Sequence, residues 1–137
     1  MWLHAKLNLA LPGGLEATPI ARQAVRALET LCEWPCGEDL ALLTSEVVTN
    51  AVRDGPAHAE NGVSLEAVVF DDVVRVEVRD GGAGFDPPIP GRAGELRPSG
   101  WGLFLLEKLA HGWGVESLPS STVWFEVARG TDSAASR

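Results

Sequence analysis

The chain has 137 residues, 45% hydrophobic and 22% charged, the balance of one ordinary globular domain with little room for a second. Nineteen Asp and Glu outweigh eleven Lys and Arg, giving a net charge of −8, and no basic stripe escapes that average, so direct nucleic-acid binding is disfavoured. Cys32 and Cys36 complete no zinc site, no apolar run reaches the ~18 residues of a membrane span, and no secretory signal opens the chain; a cytoplasmic, non-membrane protein is expected.

Taken in order, Leu3, Ala5, Leu7, Leu9 and Leu11 alternate, which predicts a strand from Trp2 to Leu11, ended by Pro12-Gly13-Gly14. Thr18-Pro19 reads as an N-cap followed by proline at the first helical position, and Ile20, Ala24, Leu28 and Leu31 keep helical spacing until Pro35. A second helix starts near Gly37, carries Leu40, Leu43, Val47 and Ala51 on one face, and ends by Gly55-Pro56. Val63–Phe70 and Val73–Arg79 read as strands joined in a hairpin at Asp71-Asp72. From Gly81 to Ser99, five glycines and four prolines dissolve any period, and a loop that long in a compact domain is more often functional than idle. Leu103, Leu106 and Leu109 make a third helix closed by Gly112, and Val115–Leu118 and Thr122–Val127 are closing strands. The order predicts an α+β fold, a two-layer α/β sandwich with helices on one face of a mixed, mostly antiparallel sheet.

Three segments could carry chemistry. Glu46 and Asn50, four apart, share a helix face bordering the apolar stripe. An amide oxygen suits Mg²⁺, which takes its remaining ligands from water and phosphates, and a carboxylate one turn earlier could hold a hydroxyl for attack on a γ-phosphate. A solvated polar pair accounts for the same residues. Asp80 continues the face of Val74, Val76 and Val78 and should point inward, where a carboxylate needs a donor such as the exocyclic amine of adenine. Gly82 and Gly84 after it permit close approach of a flat ligand, although a strand-ending Asp-Gly turn explains them too. Gly100-Trp101-Gly102-Leu103 enters the third helix, whose free N–H groups favour an anion. No Gly-Lys-Ser/Thr run exists for a P-loop, and the glycines do not follow the first strand as a Rossmann fingerprint would.

Together, in this order and spacing, the segments resemble the Bergerat-fold ATPases, the family of DNA gyrase, heat-shock chaperones and sensor histidine kinases. The likeness runs from about Thr18 to Val127 and is greatest to the stand-alone anti-sigma-factor serine kinases abundant in actinobacteria. "LLTSEVVTNAVRDG" resembles the family's N box, which implies Asn50 as the Mg²⁺ ligand and Glu46 as the catalytic base. "VEVRDGGAGFDPP" resembles the next box, implying that Asp80 reads adenine with Gly82 and Gly84 as its supporting turn. "SGWGLFLLEKLAHGWGV" resembles the glycine box, so Gly100, Trp101, Gly102 and Leu103 would meet the phosphates. Residues 86–99 would form an ATP lid with Arg92 and Arg97 as phosphate contacts, Ser121 would offer a hydroxyl toward Asp80, and the domain would span 1–129 with a polar tail over 130–137.

The implied protein is an ATP-binding regulator, using ATP and Mg²⁺, that sequesters a sigma factor and phosphorylates Ser or Thr on an antagonist protein. The chain has Asp54 where the family often has His, and Ser120-Ser121 where it usually has Gly-Thr. These departures motivate an alternative, an ATP-binding interaction module without catalysis. His4, His58 and His111 lie outside any helical hairpin that could carry a phospho-accepting histidine, which argues against a sensor kinase. Related proteins form dimers, so a homodimer is implied, with Trp2 and Trp101 as interface candidates.

Overall fold

The protein is described by a computed structural model over residues 3–33, 38–54, 62–80, 101–116 and 122–128. In β2 (Val63–Phe70) and β3 (Val73–Asp80) the alternation written in the sequence becomes two faces. Val63, Leu65, Ala67 and Val69 of β2 and Val74, Val76 and Val78 of β3 are buried on one of them. Asp71-Asp72 forms the bend of the hairpin, as expected. β1 (Leu3–Leu11) and β5 (Thr122–Ala128) flank this pair, and β4 (Gly112–Glu116) closes the order β1-β2-β3-β5-β4. All four ladders are antiparallel.

Three helices cover the apolar face. α1 (Ala17–Cys32) lies on β1 and β2; α2 (Asp39–Asp54) lies on β2, β3 and β5; α3 (Trp101–Leu109) packs on α2. Phe125, Leu40, Leu43 and Leu65 are the largest side chains fully enclosed between the layers. The result is the expected α+β sandwich with one layer of helices, and the opposite face of the sheet carries Lys6, Glu66, Arg75, Glu77, Arg79 and Glu126 in ion pairs.

Two local expectations are corrected. α1 begins at Ala17, not after a Thr18 cap: Ala17 N–H bonds to the Gly14 carbonyl and Thr18 N–H to the Leu15 carbonyl. Pro19 therefore sits inside the first turn, where N–H groups have no intrahelical acceptor and a missing one costs little. The helix stops before Pro35, because Glu33 takes a left-handed conformation (φ 53°) and its N–H caps the carbonyls of Glu29 and Thr30. Gly112, expected to close α3, instead opens β4, three residues before the anticipated strand. The reason is Trp124, whose indole crosses β4: a Cβ at Gly114 would stand 2.6 Å from its Nε1. The Arg75 guanidinium lies over that ring, 4.2 Å from its centroid.

Gly62 is the glycine that the backbone itself demands. Its φ is +73°, and a Cβ would lie 2.6 Å from the Leu11 carbonyl oxygen, a backbone atom that cannot swing away. Gly62→Ala should cost about 2 kcal/mol in urea unfolding, whereas Gly112→Ala, where a Cβ meets nothing nearer than 3.8 Å, should stay within about 0.5 kcal/mol.

Candidate functional site

α2 is the middle helix of its layer, and its neighbours assign a task to each flank. Leu40, Leu43, Thr44, Val47 and Val48 face the core. On the α1 side, the Thr18 and Thr49 hydroxyls meet at 2.8 Å, and Arg22 Nη1 donates to Ser45 Oγ at 3.4 Å while Ser45 donates to the Ala41 carbonyl. Glu46 and Asn50 each follow one of these residues by one position, a rotation of about 100°. They therefore lie together on the flank turned away from α1, as their spacing predicts, and both are half-buried.

Asn50 carries the informative atom. Its Oδ1 is shut off from solvent yet accepts no hydrogen bond. A desolvated acceptor without a donor is costly in a native protein and calls for an explanation such as an ion that is not a protein atom. A hard, neutral amide oxygen matches the oxygen preference of Mg²⁺, so the residue present fits that ion. Among the described residues no cluster of three or more His, Cys, Asp or Glu could hold a metal, so a metal there would draw on Asn50 and on groups other than such a cluster.

The sheet brings two further segments toward this helix. β3, on which α2 packs, finishes at Asp80, opposite Val63 and in the alternation of Val74, Val76 and Val78. The chain reverses between α3 and β4, where His111 N–H bonds to the Glu126 carbonyl, so α3 starts toward the end of the sheet where β3 finishes and β5 begins. The backbone of Trp101, Gly102 and Leu103 forms the first turn of α3, confirming that this glycine segment enters a helix. Gly82, Gly84, Arg92, Arg97, Gly100 and Ser121 lie outside the described residues, as do the 86–99 lid, Trp2, the 130–137 tail and Cys36; Cys32 is a free, half-buried thiol. The α1 cross-links were not anticipated. Their signal was available in two polar pairs at i, i+4, Thr18/Arg22 and Ser45/Thr49, that match across the helix pair.

A middle helix with a carboxylate and an amide on the flank away from α1, laid on a five-stranded antiparallel sheet, is consistent with an ATPase domain of the histidine-kinase type. The family model for the histidine kinase-like ATPase domain matches residues 11–123, and the chain belongs to that family. It is similar to the serine-protein kinase RsbW of Listeria monocytogenes serovar 1/2a, with 30% identity over 120 residues, 78% of this chain and 76% of that protein. The RsbW of Listeria innocua is likewise 30% identical over the same shares. An anti-sigma F factor of Clostridium botulinum is 30% identical over 121 residues, 82% of this chain and 85% of that protein. No described helix is long and apolar enough to cross a membrane.

Among the described residues, two buried side-chain oxygens lack partners, and they should behave differently. Thr44 Oγ1 sits in the core with nothing to bond, so Thr44→Val should raise the urea-unfolding free energy by about 1 kcal/mol. Asn50→Ala removes an acceptor that holds no part of the fold together and should leave that free energy within about 0.5 kcal/mol.

Proposed function

We propose that the chain is an ATP-dependent regulatory serine/threonine kinase acting on proteins: it sequesters a sigma factor and phosphorylates an antagonist of that sequestration. The observation that carries the reading is the orphaned, desolvated Oδ1 of Asn50 one helical turn from the half-buried Glu46. Membership of the ATPase-domain family and the names of the kinase and anti-sigma relatives support it. The net charge of −8 favours a protein over a nucleic acid as the direct partner.

Each residue then has a role set by its chemistry. Asp80 accepts a hydrogen bond from the exocyclic amine of adenine and rejects guanine, which offers an oxygen there. Gly82 and Gly84 let the base approach the backbone, and Ser121 supplies a hydroxyl to the Asp80 side of the site. The free N–H groups at the start of α3, from Gly100 through Leu103, receive phosphate oxygens, assisted by Arg97. Asn50 Oδ1 would hold Mg²⁺, which when bound neutralises charge between the phosphates. Glu46 orients the Ser or Thr hydroxyl of the antagonist and accepts its proton as that oxygen bonds to the γ-phosphorus. The bond from the γ-phosphorus to the bridging oxygen breaks, leaving ADP and a phosphorylated side chain.

Glu46→Gln should lower phosphate transfer to the antagonist by at least about 100-fold, with ATP affinity by calorimetry changed less than about threefold. Undiminished transfer by that variant would take the base role away from Glu46. Wild-type protein that binds ATP but phosphorylates no antagonist would instead favour the interaction module without catalysis.

A further inference from the structure

Among the described residues, the exposed large apolar side chains are Leu3 on β1, Leu15 just before α1, Ile20 and Leu31 on α1, Leu42 on α2 and Phe104 on α3. A lone surface leucine ordinarily needs no explanation. The place of Leu42 is what singles it out. It precedes Glu46 by four residues and Asn50 by eight, so the three stand in one row, about one helical turn apart. At about 100° per residue, Leu42 lies only about 40° round the helix from Glu46. Its chain neighbours Leu40, Ala41, Leu43 and Thr44 are all enclosed, whereas Leu42 is 40% exposed, so core packing does not claim it.

Polar groups surround it. The helix positions three and four away are Glu38, Asp39, Ser45 and Glu46, and from α1 Arg26 reaches Glu38 at 3.0 Å and Arg22 reaches Ser45 at 3.4 Å. The direction of α2 places this apolar spot relative to the nucleotide. α1 follows β1, whose Leu11 pairs with Val63, itself opposite Asp80, so α1 starts toward that end of the sheet. The contacts Thr18–Thr49, Arg22–Ser45 and Arg26–Glu38 make α2 antiparallel to α1. Counted from the Asp80 end, the row on α2 therefore reads Asn50, Glu46, Leu42. With adenine at Asp80 and metal at Asn50, Leu42 lies past Glu46, on the side from which an acceptor hydroxyl would come.

We propose that Leu42 sets acceptor specificity: it receives an apolar side chain two positions from the Ser or Thr that Glu46 engages. The inference rests on the kinase reading above and deepens it. An extended segment advances about 3.3 Å per residue and returns to the same side every second residue, about 6.6 Å on. Four residues of helix advance about 6 Å. A segment laid along α2 with its hydroxyl at Glu46 thus brings the side chain two positions away onto Leu42. An apolar group there loses contact with water at little cost, while an amide or charge would be pressed against a leucine without a partner. The polar ring favours one such apolar residue in a polar segment over a run of them.

The test compares two peptides on one protein, so effects on folding or nucleotide binding cancel in the ratio. Each peptide holds one Ser in a polar Gly-Gln background, with either Leu or a further Gln two positions from it; both placements, before and after the Ser, are made. In one placement the full-length wild type should use the Leu peptide with a kcat/KM at least about 10-fold above the Gln peptide, the difference lying in KM. Leu42→Lys should cut this preference below about twofold, and Leu42→Met should retain it. Equal use of the peptides, or a preference that Leu42→Lys leaves in place, would overturn the inference. So would phosphorylation of the antagonist but of no peptide. Transfer to neither antagonist nor peptide would overturn the kinase reading and this inference with it, which keeps the two failures distinguishable.

Discussion

Val76 and Val78 of β3 and Phe125 of β5 form the bed on which α2 lies, and the helix answers with Leu40, Leu43, Val47 and Val48. With that face buried and a second flank tied to α1 through Ser45 and Thr49, the direction of Glu46 and Asn50 is set by exclusion. A rotation that turned them elsewhere would have to expose several large apolar side chains, each worth about 1.5–3 kcal/mol. The direction of these two side chains is thus a by-product of core packing. The helix can carry polar groups on one flank because the others are fully committed.

The opposite face of the sheet uses charge differently. Arg75 reaches Glu77 on its own strand and Glu126 on β5 while its guanidinium lies over Trp124, and Arg79 and Lys6 engage Glu77 and Glu66. Most of these groups are a quarter to a half exposed, so each pair contributes at most about 1 kcal/mol and weakens with salt. Their larger effect is on register. Arg75 sits opposite Glu126, and a slip of one residue would turn the buried valines outward together with it. The glycines of β4 belong to the same arrangement, since the indole that Arg75 covers needs their missing side chains.

How far the sequence reveals this molecule depends on whether the deciding partner is local. Alternation in Val63–Phe70 and Val73–Arg79 is a property of each strand, and the structure reproduces its two faces. Glu46 and Asn50 were legible because four residues make one helical turn. Gly112 follows α3 like a helix terminator, but Trp124, a dozen residues away, decides whether glycine there ends a helix or floors an indole. Thr18 has the local look of a cap, but its hydroxyl's partner, Thr49, lies 31 residues on. Ile20 and Leu31 carried the right period but the wrong neighbour: periodicity reports that a helix has an apolar side, and it cannot report how wide a stripe the sheet beneath will cover. For Asp80 the sequence supplies the parity and the structure supplies the strand end, opposite Val63. The glycines after it belong to a segment whose period is lost in the sequence itself.

α1 joins these themes through its ties to α2. Its two cross-links, Thr18 to Thr49 and Arg22 to Ser45, are hydrogen bonds between partly buried groups, together worth about 1–3 kcal/mol. Burial of the α2 face against the sheet involves at least four large side chains and exceeds that severalfold. The sheet therefore sets the roll of α2, and α1 can only trim it. Displacement of α1 has no leverage to dismantle the flank that carries Glu46 and Asn50, and it reaches α2 through Ser45 and Thr49. The ties to α1 can therefore trim the direction of the Glu46 and Asn50 flank but cannot reverse it.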